Sequence, residues 1–195
     1  VYLYTMLDAD CNCNGIEDAD DILSGFSQDT DMNGVPDNCE VIESDYCFCG
    51  ALTNPPCANV DPAAGCMNSL GSGALLSAGG TSSIANANLS LAVRPVRPNE
   101  FGIVFMATNV IGPFPFGDGQ RCAGGTLWRF GLTNSGPAGI ILVDGIIPYS
   151  AANFGVTGQL AAGQTWNFQG WYRDPGGPCG TSFNLTQGKS ITFTP

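Results

Sequence analysis

No histidine occurs anywhere in the 195 residues. Its absence removes the side chain that most often serves as a general base near neutral pH, together with the usual imidazole ligand of transition metals. Lysine is almost as scarce: Lys189 stands alone, in what reads as a final-strand turn, and no Ser-x-x-Lys pattern exists to activate a serine. Charged residues make up only 12% of the chain, and residues 1–93 contain 13 acids without a single Lys or Arg. Residues 94–195 hold all six bases and four acids, so the two halves carry −13 and +2. A half with no bases repels nucleic acid and anionic membranes. Every apolar run is too short to span a bilayer, which argues against membrane insertion. The chain opens at Val1 without an initiator Met or a signal sequence, as expected if a leader has been removed or a longer protein cut.

What the first third does contain is one acidic loop written twice, nineteen residues apart. The first copy, D-C-N-C-N-G-I-E-D-A-D-D, runs from Asp10 to Asp21, and the second, D-T-D-M-N-G-V-P-D-N-C-E, from Asp29 to Glu40. A twelve-residue calcium loop takes oxygens from positions 1, 3, 5, 9 and 12 and a backbone carbonyl from position 7, and it turns on a glycine at position 6. The first copy offers Asp10, Asn12, Asn14, the carbonyl of Ile16, Asp18 and Asp21, with Gly15 at the turn. The second offers Asp29, Asp31, Asn33, the carbonyl of Val35, Asp37 and Glu40, with Gly34 at the turn. A solvated acidic linker also uses Asp, Asn and Gly, but nothing in a linker keeps two copies in register. Two calcium ions are therefore expected, and they would add four positive charges where the acids crowd.

These residues resemble the tandem calcium repeats of dockerin modules and of thrombospondin type-3 repeats in secreted proteins of environmental bacteria. Asp21 closes the first loop as in dockerins, and Glu40 closes the second as in EF-hands. Only I-L-S-G-F-S-Q separates the loops, which leaves at most two turns of helix around Asp21 to Gly25.

Nine cysteines in a chain without a membrane span point to an oxidising compartment, outside the cell or on its surface. The group Cys47, Cys49, Cys57 and Cys66 could supply four thiolates to zinc, but structural zinc sites usually place two or more residues between paired cysteines. Disulfides are the expected use: local bridges among these four, Cys11 with Cys39 across the two loops, and Cys122 with Cys179. Cys13 is then left over. Spacing does not settle connectivity.

Four stretches are expected: 1–7 a strand, 8–45 the calcium repeats, 46–72 a Cys-rich connector, and 73–195 a β-domain. In V-Y-L-Y-T-M-L, Val1, Leu3 and Thr5 alternate with Tyr2, Tyr4 and Met6, which reads as a strand with no partner nearby; a disordered end is the alternative. From Gly73 onward apolar runs alternate with Gly, Pro and Asn turns: A-L-L-S-A, I-A-N-A-N-L-S-L-A-V, F-G-I-V-F-M-A, T-L-W-R-F-G-L, G-I-I-L-V-D-G, T-W-N-F-Q-G-W-Y and S-I-T-F-T. About seven or eight strands suit a mainly β fold, a two-sheet sandwich of jelly-roll or immunoglobulin-like type, with a barrel as the lesser option. Trp166, Phe168, Gly170 and Tyr172 face one way, and Asn167, Gln169, Trp171 and Arg173 the other. The stretches P-F-G-D-G-Q-R-C-A-G-G-T-L-W-R-F and W-N-F-Q-G-W-Y-R-D-P resemble a β-domain near the C-termini of secreted bacterial proteins, a resemblance that covers most of 66–195 and implies a fold and an address but no reaction.

The second-half acids, Glu100, Asp118, Asp144 and Asp174, each stand beside Gly, Pro or Asn and read as turn residues, not a glycosidase pair. Asp118 and Asp174 are weak candidates for a third calcium. Asn88 and Asn184 begin glycosylation sequons. Trp171 and Tyr172 are candidates for stacking on sugar rings, although core packing competes for aromatic residues at strand spacing. The expectation is a non-catalytic extracellular structural protein, stiffened by calcium and disulfides, whose partners are copies of itself joined head to tail by strand donation into a surface filament. The alternative is a glycan-binding or dockerin-type accessory module of a secreted polysaccharide-degrading enzyme.

Overall fold

The structure is a computed structural model that describes residues 10–12, 14–30 and 32–195, the side chain of Ala51 excepted. The expected strand at 1–7, Cys13 and Asp31 lie outside the described residues. Two antiparallel sheets form the body of the chain. The larger has the order β1 (Ile42–Tyr46), β9 (Phe183–Thr192), β8 (Thr165–Arg173), β4 (Phe101–Phe116), β5 (Gly119–Arg129), with β6 (Thr133–Asn134) pairing on β4. The smaller has the order β2 (Leu75–Gly79), β3 (Ser90–Arg94), β7 (Ile141–Val143). A mainly β, two-sheet fold was expected from the alternating runs, and each run named above carries one of β2, β3, β4, β5, β7, β8 and β9.

Alternation decides the core. On β8, Trp166, Phe168 and Tyr172 point inward and meet Leu91 and Val93 of β3, Ile141 of β7, and Val104 and Met106 of β4 in one buried cluster. Each fully buried side chain of this kind contributes about 1.5–3 kcal/mol. The short helix α2 (Ile146–Asn153) adds Ile146 and Ile147 to that cluster, and its Pro148 sits in the first turn, where no N–H is needed for the helix ladder. Among the described residues of the acidic segment the one helix is α1 (Asp18–Ser24), which begins within the first loop and is ended by Gly25 in the left-handed region at φ 75°. The second loop runs directly into β1, so the described residues contain no helix pair of the dockerin kind.

The β4–β5 ribbon does not lie flat. Its pairing register shifts between Ala107 and Asn109 and again between Val110 and Phe114. Such bulges bend a ribbon. Its outer half folds back over the outer face of the large sheet, so Gln169, which points away from the core, is nevertheless fully buried. Gln169 donates to the carbonyls of Gln120 and Thr186 at 2.7 and 2.8 Å and accepts from the Cys122 N–H at 3.0 Å. A second small apolar cluster, Phe105, Ala107, Ala123 and Leu185, fills the space under the ribbon.

That bend explains a correction to the expected disulfides. Cys122 pairs with Cys47, not with Cys179, and Cys179 pairs with Cys57. The ribbon carries Cys122 across to the end of β1, an approach that distance along the chain does not reveal. Cys11–Cys39 forms as expected, but of the local bridges expected among Cys47, Cys49, Cys57 and Cys66 only Cys49–Cys66 forms, because Cys47 and Cys57 reach partners outside the group.

Lys189 corrects another expectation. It lies within β9, not in a turn, is 1% exposed, and forms ion pairs with Glu43 and with Asp45 at 2.8 Å. Both acids belong to β1, in which Asp45 stands directly opposite Lys189. On the opposite face the Tyr46 ring lies over Gly188, where any Cβ would collide with it. Removing the ammonium would leave two carboxylates facing each other, about one third exposed. Lys189→Ala should therefore lower unfolding free energy by about 2–4 kcal/mol in urea titrations. Lys189→Ala with Glu43→Gln and Asp45→Asn should recover a large part of that loss. An unchanged midpoint for the single variant would show that β1 does not depend on the pairs.

Candidate metal centre

The two acidic loops share one hydrogen-bond frame, matched position by position. In the first, the Asp10 carboxylate accepts from the N–H groups of Asn14 and Gly15 at 3.1 and 2.9 Å; in the second, Asp29 accepts from Asn33 and Gly34 at 3.1 and 3.0 Å. Asn14 Oδ1 accepts from the Ile16 N–H at 2.8 Å, as Asn33 Oδ1 does from Val35 at 2.7 Å. Asn14 Nδ2 donates to Asp21 at 2.7 Å, as Asn33 Nδ2 does to Glu40 at 2.8 Å. Asp18 accepts from the Cys11 N–H at 2.9 Å, and Asp37 from Thr30 at 2.8 Å. Gly15 and Gly34 turn at φ 87° and 88°, a conformation that side-chain-bearing residues rarely adopt. Short Asx side chains bonding to nearby backbone N–H groups are what hold these turns.

The carboxylates at positions 1 and 12 of each loop thus bind the same asparagine, one through its backbone and one through its side chain, and so are brought together. Asp21 is fully buried. Its Oδ2 accepts from Asn12 and Asn14 at 2.8 and 2.7 Å, whereas its Oδ1 has no hydrogen-bond partner. A buried carboxylate oxygen without a donor is costly in a closed site unless a cation faces it. The described donor set is hard oxygen throughout: Asp10, Asn12, Asn14, Asp18, Asp21 and the Ile16 carbonyl in the first loop, and Asp29, Asn33, Asp37, Glu40 and the Val35 carbonyl in the second. Such a set fits calcium in number and type, once the amides of Asn12, Asn14 and Asn33, which now present Nδ2 to the carboxylates, rotate to turn oxygen inward. Cys11, Asp18 and Cys39 also converge. They make no separate thiolate site, because the two sulfurs are bonded to each other.

The second loop is joined to the sandwich. The Glu40 carbonyl accepts from the Ser82 N–H at 2.8 Å, Asn86 Nδ2 donates to the Asn38 carbonyl at 2.8 Å, and β1 begins two residues after Glu40. The first loop reaches it through Cys11–Cys39, and the connector between the loops is held by the Asp37 N–H donating to the Gln28 carbonyl at 2.8 Å.

Several other sequence candidates are placed differently from expectation. Asp118 and Asp174 are not surface turn residues. Asp118 is 0% exposed and accepts from the N–H groups of Cys179 and Thr181 at 3.1 and 3.0 Å, while Asp174 is 1% exposed and accepts from Ser69. Both tie loops to the sandwich. Asn184 is fully buried and donates its Nδ2 to the carbonyls of Cys66 and Met67, so in the folded chain it is no glycosylation acceptor; Asn88 is exposed. Tyr172 is fully buried and receives a hydrogen bond from Asn68, which withdraws it from any sugar. Trp171 is half-buried and lines a cleft of about 240 Å³ beneath the folded ribbon, together with Ile103, Phe105, Phe116, Leu127 and two arginines. Sequence reasoning missed this cleft because the bulges that make it have no sequence signal beyond Gly112 and Pro113.

Set beside known proteins, the chain matches no family model, no curated protein and no solved structure, so its site is read from its own geometry.

Burial raises the phenol pKa values of Tyr172 and Tyr46 far above the ordinary value of 10.0. The folded state keeps these protons after the unfolded chain would release them. Stability is therefore intact below about pH 10 and falls as pH rises beyond it. Tyrosinate absorbance should show these two of the five tyrosines titrating only as the fold is lost; ionisation of all five before unfolding would contradict their burial.

Proposed function

We propose that the chain is a non-catalytic structural protein of the cell exterior, whose N-terminal third is ordered by two calcium ions and whose body is braced by disulfides. The observation that carries this reading is the repeated frame around the two loops, with its buried, unpartnered oxygen on Asp21. Four disulfides favour an oxidising compartment, and no helix among the described residues is long and apolar enough to cross a membrane. Calcium would supply positive charge to acids that meet no base in their own half. Asp10, Asn12, Asn14, Ile16, Asp18 and Asp21 would hold one ion, and Asp29, Asp31, Asn33, Val35, Asp37 and Glu40 the other. Copies of the chain join head to tail through residues 1–7, whose alternating apolar side chains suit donation to a neighbour. Such a contact does not close on itself and generates a filament.

A glycan-binding accessory module is the second reading, favoured by the half-exposed Trp171 in its cleft.

Calorimetric titration should reveal two calcium sites with dissociation constants of about 0.1–1 mM. Asp21→Asn, which alters only the first loop, should abolish or weaken one of them and spare the other. Light scattering of the concentrated chain in millimolar calcium should show large species, and a chain lacking residues 1–7 should remain monomeric while still binding calcium. Absence of calcium heat would overturn the metal reading, and a monomeric full chain the filament reading. Saturable glycan binding that is lost in Trp171→Ala would replace the latter.

A further inference from the structure

We infer that the cleft under the β4–β5 ribbon receives the Val1–Leu7 segment of a second copy of this chain, with Arg121 and Arg129 facing the acids that follow that segment. The inference rests on the head-to-tail reading and specifies its receiving surface. Ile103, Phe105, Phe116, Leu127 and Trp171 make the floor and walls of the cleft, and the two arginines line it. Phe116 of the wall is itself 44% exposed, and apolar surface continues beyond the cleft at Phe101, 46% exposed.

Charge selects the occupant. In a chain of net charge −11, Lys189 makes the only ion pairs among the described residues, and the arginines at this apolar cleft pair with no carboxylate there. Arg129 is exposed, and Arg121 donates its Nε to the Ala123 carbonyl at 3.1 Å. An apolar floor with a cationic lining calls for a segment that is apolar and then acidic. V-Y-L-Y-T-M-L followed by Asp8 and Asp10 has that order. At about 240 Å³ the space is smaller than the ~300–1,000 Å³ of small-molecule sites, and it suits a few inserted side chains from a longer strand.

The β1, β2 and β5 edges suit this segment less. The Gln187 side chain bonds both the N–H and the C=O of Leu76 at 2.9 Å, closing the β2 edge as a neighbouring strand would. β1 carries Glu43 and Asp45, which repel an acidic arrival, and β5 is tied across its start by Cys47–Cys122 and by Gln120 to the Thr53 carbonyl. Edges covered or charged in these ways resist strand addition. Docking of side chains on the face remains open.

The test is sedimentation velocity of the full chain in millimolar calcium at low salt, comparing wild type, an Arg121→Glu/Arg129→Glu variant, and that variant with Asp8→Lys added. Asp8 lies outside both sets of calcium ligands. The expected result is assembly of wild type, loss of assembly on charge reversal with an unchanged thermal midpoint, and recovery when Asp8 is reversed as well. If the reversed variant assembles while a chain lacking 1–7 does not, the cleft is the wrong surface and the head-to-tail reading survives. If wild type stays monomeric, that reading fails first, and two outcomes then name the occupant that displaces the second copy. Binding of a Val1–Asp10 peptide only after deletion of 1–7 identifies the chain's own segment, and oligosaccharide binding lost in Trp171→Ala identifies a glycan.

Discussion

Like-charge repulsion in the first half of the chain is the constraint to which the rest of the structure answers. Twelve acids fall between Asp8 and Asp45 with no Lys or Arg among them. Water and salt weaken such repulsion at long range but not where carboxylates share a loop. The fold meets the problem in two ways. Glu43 and Asp45 are carried to the one lysine of the chain, on the last strand. The loop acids turn toward backbone N–H groups and asparagine amides, which supply partial positive charge but no counter-ion. On the reading proposed above, calcium would complete that second arrangement and stiffen the path from the first loop through Cys11–Cys39 to β1 and the large sheet.

Covalent bracing does a related job further along. Between β1 and β2, residues 47–74 form no strand beyond isolated bridges, yet Cys47, Cys49, Cys57 and Cys66 fasten this stretch to itself, to β5 and to the loop before β9. Two of the bridges close separations of 75 and 122 residues. In the chain-entropy account, bridges over such long loops remove the most freedom from the unfolded chain, on the order of 4–5 kcal/mol each. Buried Asp118 and Asp174 add hydrogen bonds where the bridged loops meet the sandwich.

Much of this was legible in the sequence where a local rule applied. Period-two alternation marked β8 and its inward face, because Trp166, Phe168 and Tyr172 had to share a side. The glycine at position 6 and the spacing of the acids marked both loops, whose matched hydrogen bonds depend only on neighbours within twelve residues. Contacts set by distant partners were not legible. Nothing in I-E-S-D-Y announces a strand, since its acids make sense only opposite Lys189. The pairing of Cys122 and the burial of Gln169 both follow from a bend in the β4–β5 ribbon. Asn184 carries a glycosylation pattern that its burial makes inaccessible, because the sequon records three residues and not their surroundings.

The central claim is that calcium, held by both loops, orders the acidic third against a sandwich that is stable without it. Amide hydrogen exchange across the full chain, recorded along a calcium titration, tests this most directly. The account predicts that exchange at Gly15, Gly34 and the neighbouring loop amides slows together as calcium reaches the millimolar range, with β1 gaining protection and β3, β4 and β8 unchanged. Loop amides that exchange at the same rate with calcium as with chelator would contradict it.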